Sequence, residues 1–212
     1  MDILLKLQQY AEQPIPTQLL LELLKSYKRP YDKIVSLVDH GYLVQLRRGL
    51  YITTSQVKST MPEPFLISNH LLGPSYVSID SALFHWGLIP ERVYEVTAVS
   101  NKLSKKFKTP LGIFSYTHIP LPYYSFGIEQ LALTESQTVM IASPEKALSD
   151  KIITTAGIQL RSSKQVLTYL EEELRIEKES LRNLNTREMV KWIPDCTKQT
   201  SIKILIETIS RL

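Results

Sequence analysis

Between positions 28 and 48 the chain gathers Lys28, Arg29, Lys33, Ser36, His40, Arg47 and Arg48, seven side chains suited to donating hydrogen bonds to phosphates and base edges. Ammonium and guanidinium groups neutralise phosphate oxygens, and arginine, serine and histidine also donate to base edges, so the set has the chemistry of a duplex-binding surface. The distribution of charge agrees. Residues 1 to 60 carry eight basic and five acidic side chains, and this stretch holds most of the excess in a chain of 25 basic and 21 acidic residues with a net charge of +4. A second basic run, Lys102, Lys105, Lys106 and Lys108, contains no acid. As a functional element it offers a second nucleic-acid contact. As a solvated hairpin loop it keeps sheet edges soluble, and that is the reading we prefer.

The first seven donors need a scaffold, and the local sequence supplies one. Ile3, Leu4, Leu7 and Tyr10 or Ala11 follow the spacing of an amphipathic helix that Pro14 and Pro16 end. A second helix opens at Thr17, expected as its N-cap, and runs through Leu19, Leu20, Leu23 and Leu24. Pro30 suits the first turn of a third helix and Gly41 its left-handed C-terminal cap. Leu43 to Leu46 and Leu50 to Thr53 then flank Arg47-Arg48-Gly49, a tight hairpin with a basic tip. Three short helices followed by a two-stranded wing predict a winged helix-turn-helix, whose third helix enters the major groove. At about 100° per residue from Arg29, Lys33 falls at about 40°, Ser36 at about −20° and His40 at about 20°, opposite Ile34, Val35 and Val38. We therefore expect Lys33, Ser36 and His40 to face outward, with Asp32 and Asp39 to one side.

Beyond a linker at about 56 to 62 the pattern mixes helix and strand. Helices are expected near 65–72, 79–86 (capped by Ser78) and 145–155 (capped by Ser143-Pro144), and strands at 94–100, 112–119 and 138–142. From about 162 onward the chain reads as helical and highly charged, with an apolar stripe at Leu167, Leu170 and Leu174 and a helix capped by Thr186. No internal repeat is visible.

Enzyme signatures are sparse. The sequence has no phosphate-cradling glycine loop, no Gly-x-Ser-x-Gly elbow and no His-Glu-x-x-His pair. His40, His70, His85 and His118 lack metal-ligand spacing, and the single cysteine, Cys196, has no second cysteine for a disulfide or a zinc knuckle. Asp80 with His85, or Glu95 with Lys102, would be the starting points for a metal-dependent nuclease. We expect no enzymatic activity and no cofactor. No apolar run approaches the roughly 20 residues that span a bilayer, and the N-terminus lacks a leader pattern, so a cytoplasmic protein with no membrane partner is expected.

Four blocks carry a likeness to a known family. Gly41-Tyr-Leu-Val-Gln-Leu-Arg-Arg-Gly-Leu-Tyr51, Gly73-Pro-Ser-Tyr-Val-Ser-Ile-Asp-Ser-Ala-Leu83, His85-Trp-Gly-Leu-Ile-Pro-Glu91 and Met140-Ile-Ala-Ser-Pro-Glu-Lys-Ala-Leu-Ser-Asp150 resemble, in order, the AbiEi antitoxin family over about residues 1 to 155. The resemblance implies a transcriptional autoregulator and antitoxin of a bacterial toxin–antitoxin or phage-defence operon. It further implies a winged helix bound to inverted repeats in its own promoter and a cognate toxin resembling a nucleotidyltransferase, and it transfers no mechanism of neutralisation. Tyr76, Ser78, Ser81, Pro144, Glu145, Lys146 and Asp150 within these blocks are expected to be fold determinants.

The expectation is thus an α+β protein, with a winged helix-turn-helix over residues 1–58 and a larger mixed α/β domain with a helical C-terminal region over residues 63–212. It is expected to act as a DNA-binding repressor and antitoxin. The competing expectation is a protein-interaction module that neutralises a toxin by direct contact, without specific DNA binding.

Overall fold

A computed structural model describes residues 3–91 and 93–212. The chain folds as a mixed α+β protein. Its N-terminal stretch runs α1 (Ile3–Gln8), β1 (Ile15–Pro16), α2 (Thr17–Leu23), α3 (Pro30–Asp39), β2 (Leu43–Arg47) and β3 (Leu50–Thr53). The two-residue β1, which the sequence does not advertise, pairs with β3 and makes a three-stranded antiparallel sheet of order β1-β3-β2. Ile3, Leu7, Ile15, Leu20, Leu24, Ile34, Leu37 and Leu43 form one buried cluster beneath these elements. Thr17 is the first helical residue and not the cap; Pro16, extended, precedes it, and the Thr17 amide donates to the Gly49 carbonyl at 3.0 Å.

The chain continues through α4 (Pro64–Leu71), β4 (Ser75–Val77), α5 (Ile79–His85), β5 (Glu95–Ser100), β6 (Lys105–Thr109), β7 (Gly112–His118), β8 (Ile128–Ala132), β9 (Thr138–Ala142) and α6 (Pro144–Thr154). Six strands join in a mixed sheet of order β6-β7-β5-β4-β9-β8, in which β5 runs parallel to β7 and β4 parallel to β9. The C-terminal part holds α7 (Ser163–Leu167), a π-helical segment from Thr168 to Glu173, α8 (Lys178–Arg182), α9 (Thr186–Trp192) and α10 (Gln199–Ile209). It is not a loose tail. Val166, Leu170, Leu181, Met189, Trp192, Ile202 and Leu205 share one core with Tyr76, Val99, Leu148 and Ile152 of the sheet and α6. Asn185, not Thr186, caps α9, accepting the Glu188 amide through its side-chain oxygen.

A third cluster joins the two sheets. Leu46, Leu50 and Ile52 of the hairpin pack on Ile67 and Leu71 of α4 and on Ala98, Phe114 and Tyr116, which register places on one face of the large sheet. The expected linker is also tied down. Gln8 Nε2 donates to the Val57 carbonyl, and Lys58 and Thr60 both bond Glu12. Gln137 then holds the strap from two sides, accepting the Glu63 amide at 2.7 Å and donating to the Met61 carbonyl at 3.2 Å. Among the described residues no helix is long and apolar enough to cross a membrane.

Candidate nucleic-acid interface

The third helix is bounded as its sequence dictates. Pro30 occupies its first turn, where a missing N–H costs nothing. At the other end Gly41 adopts φ +73°, its amide bonds the Val38 carbonyl, and the Tyr42 amide bonds that of Leu37, the paired bonds of a Schellman cap.

Its rotation differs from expectation. Ile34 and Leu37 are the buried pair, 4% and 2% exposed, whereas Val35 is 58% exposed and Tyr31 is 64% exposed. Lys33 and Ser36 are half-buried on the flank. The physical cause is Leu37, whose angle of about 80° with Ile34 at about 140° swings the packed face against α2 and β2. The opposite direction, at about 290°, is then taken by Asp32, Val35 and Asp39, with Tyr31 exposed at about 200°. Asp32 and Asp39 therefore stand on the outward stripe and not beside it. Arg29 Nη1 lies 3.6 Å from Asp32 Oδ2 and partly offsets its charge.

Each expected donor can be placed. Lys28 and Arg29 are exposed just ahead of α3, at the positive end of its dipole. The Lys33 ammonium lies 5.7 Å from the centre of the Tyr27 ring, which draws it along the protein surface. His40 is exposed in the C-cap position, where its Nδ1–H donates to the Ser36 carbonyl at 2.6 Å and its ring stacks on Tyr42. The hairpin turn is made possible by Gly49 at φ +85°, with a bulge between Gln45 and Arg47. Arg47 is exposed but tied to the protein's own backbone. Its Nε donates to the Leu71 carbonyl at 3.0 Å and its Nη1 to the Arg48 carbonyl at 3.1 Å. Arg48 is exposed, and its guanidinium has no bond among the described residues. Of the exposed cations in this set, Lys28, Arg29 and Arg48 are those whose charged groups make no hydrogen bond among the described residues.

The second basic run is not a hairpin loop. Lys105, Lys106 and Lys108 lie on β6, an edge strand, and alternation sends Lys106 and Lys108 to the side of the sheet opposite Phe107. Lys105 lies 4.8 Å above the Phe107 ring, Lys106 pairs with Glu95 at 2.9 Å, and Lys102 bonds the Gly73 carbonyl. Lysines on a sheet edge blunt strand-to-strand association. The structure does not gather these four on one surface.

The residues considered for a hydrolytic centre are likewise dispersed into pairs. Asp80 meets Lys151 at 2.7 Å, Glu95 meets Lys106 rather than Lys102, and His85 packs edge-on against Phe65 and Trp86. Burial pushes the pKa of His85 down.

Sequence reasoning missed the depth of one cluster. Tyr76 Oη and Ser78 Oγ both donate to Asp150 Oδ2, at 3.0 and 2.7 Å, so Ser78 precedes α5 without capping it. Asp150 Oδ1 faces the Lys146 ammonium at 3.1 Å, which also donates to the Tyr123 carbonyl at 2.9 Å. Both charged side chains are fully enclosed. Desolvation lowers the pKa of Lys146 while Asp150 opposes it, and burial raises that of Tyr76 well above its ordinary range. A lysine and an aspartate one turn apart, with Ala147 and Leu148 between them, were the available signal. Ser143 caps α6 by accepting the Lys146 amide, and Glu145 Oε1 accepts the Asn185 amide at 2.8 Å, joining α6 to the C-terminal helices. No family model matches the chain, and no curated protein matches it.

Proposed function

We propose that the N-terminal elements are a winged helix-turn-helix that binds duplex DNA, with α3 in the major groove and the β2–β3 hairpin as the wing. On this reading the protein is the autorepressor and antitoxin of a bacterial toxin–antitoxin or phage-defence operon, opposed to a nucleotidyltransferase-like toxin. The observation that carries the DNA reading is the set of exposed cations at the start of α3, Lys28 and Arg29, and at the hairpin turn, Arg48. The element order α1-β1-α2-α3-β2-β3 with sheet order β1-β3-β2 supports the same assignment. The antitoxin role is supported by the four sequence blocks that resemble the AbiEi family.

Three extended cations per protomer set the salt dependence. The slope of log affinity against log salt on the chain's own upstream DNA is expected to be about −3, and a fluorescence anisotropy titration at several salt concentrations measures it. A flat response overturns the DNA reading. The second reading, a protein-interaction module, is favoured by the exposed apolar side chains Tyr27, Tyr31 and Val35 set beside Asp32 and Asp39. It predicts a complex with the neighbouring gene product that survives high salt, because apolar contacts are little screened.

A further inference from the structure

We infer that β8 is a docking edge for an extended, basic segment of a partner polypeptide, which joins the large sheet as an added strand. The inference rests on the sheet and is independent of the DNA reading. β8 closes the strand order next to β9. The Ser143 amide donates to the Gly127 carbonyl and the Leu133 amide to that of Gln137, in line with the antiparallel register that matches Ile128 with Ala142 and Ala132 with Thr138. Hydrogen-bonded pairs alternate along such a ladder, so the odd-numbered residues of β8 spend their backbone on β9. The N–H and C=O groups of Ile128, Gln130 and Ala132 point the other way, and Gln130 and Ala132 are exposed.

The two edges of the sheet differ in what guards them. β6 carries Lys105, Lys106 and Lys108, the kind of charge that blunts an edge. β8 holds no lysine, arginine or proline, and its five residues pair with β9 without a bulge. An open edge of this kind takes up peptide main chain by strand addition. Charge selects the guest. Glu129 and Glu135 are exposed and enter no ion pair among the described residues. A groove of about 570 Å³ at the start of β8 sets Glu129, Glu145 and Glu188 against a single cation, Lys191, which Glu188 already holds, with Phe126 and Trp192 as apolar walls. Carboxylates therefore flank the edge at both ends, which favours lysine or arginine on the incoming segment and disfavours acids. In an antiparallel added strand Glu129 and Leu131 occupy the non-hydrogen-bonded positions, where facing side chains come closest. The guest then carries a basic residue opposite Glu129 and, two positions before it, an apolar one opposite Leu131.

The probe is the peptide Thr-Val-Thr-Lys-Val-Thr, acetylated and amidated, added to the intact chain while amide exchange is followed residue by residue by NMR. The amides of Ile128, Gln130 and Ala132 are expected to gain protection, and those of Glu129 and Leu131, already bonded to β9, to stay as they are. E129K, at an exposed position, is expected to weaken binding about fivefold, the upper value of one cross-strand pair. It should also take up the matching peptide with glutamate in place of lysine, which the parent refuses. Methylating the peptide nitrogen of the threonine opposite Gln130 removes a main-chain donor without altering the protein, and should abolish the protection. No protection at millimolar peptide, equal binding of the glutamate peptide by the parent, or binding that the N-methylated peptide retains overturns the inference. Protection of the same three amides on concentrating the chain alone assigns the edge to a second copy and likewise overturns the basic guest.

Discussion

Arg47 Nε donates to the Leu71 carbonyl oxygen at 3.0 Å, so of two adjacent arginines at the hairpin turn one is spent on the protein's own backbone and the other, Arg48, is left extended. Identical chemistry at neighbouring positions is thereby split between holding the hairpin on α4 and standing exposed at the turn.

The two arginines should separate experimentally. R48A is expected to reduce the steepness of the salt response on DNA by about 1 without changing stability. R47A should leave that slope alone and lower unfolding stability by about 1 kcal/mol, as a hydrogen bond at a partly solvated site does. Anisotropy titrations paired with urea denaturation of both variants check this.

A buried charge left alone is expensive. Lys146→Met should strip Asp150 of its cation inside a closed core and cost about 3–5 kcal/mol. The double variant K146M/D150N removes both charges and keeps an acceptor for Tyr76 and Ser78, so it should recover part of the loss. A double-mutant cycle in urea reads the coupling directly.

Glu12 makes the strap between the N-terminal elements and the β8–β9 turn sensitive to acid. Hydrogen bonds from Lys58, Ser136 and Thr60 lower its carboxyl from 4.5 to about 2. A depressed carboxyl contributes stability that is present above the unfolded value and lost as pH falls through the folded one. Protection of the amides around residues 58 to 61, taken relative to their intrinsic exchange rate at each pH, should therefore fall between about pH 4.5 and about pH 2, and E12Q should flatten that response.

Gly127 has room for nothing larger. A Cβ there would lie 2.8 Å from Lys146 Cβ and 2.9 Å from the Trp192 ring, and the residue adopts φ +59°. G127A should destabilise the protein by about 1–3 kcal/mol and shift Trp192 fluorescence, both measurable in one denaturation experiment.

How much of this was legible in the sequence varied with the physics involved. The ends of α3 and α6 were readable because Pro30, Gly41 and Ser143-Pro144 act through the backbone beside them. The hairpin was readable because Gly49 permits its turn. The rotation of α3 was not, since neighbouring elements choose which of several apolar residues to bury, and they choose Leu37, which lies outside the stripe of Ile34, Val35 and Val38. Strands β4, β6 and β8 escaped for related reasons. Ser75–Val77 is too short to show alternation, and Lys105–Thr109 has the composition of a loop until β7 pairs with it. The tether of Arg47 depends on Leu71, a partner 24 positions away.

The cluster shared by the hairpin and the large sheet has a practical corollary. Leu46, Leu50 and Ile52 find their cover on α4 and on Phe114 and Tyr116. Severing the chain after Lys58 would present those greasy side chains to water, and the liberated piece would stick to itself. Attempts to dissect the molecule should therefore excise nothing at that point and rely on point substitutions in the intact polypeptide.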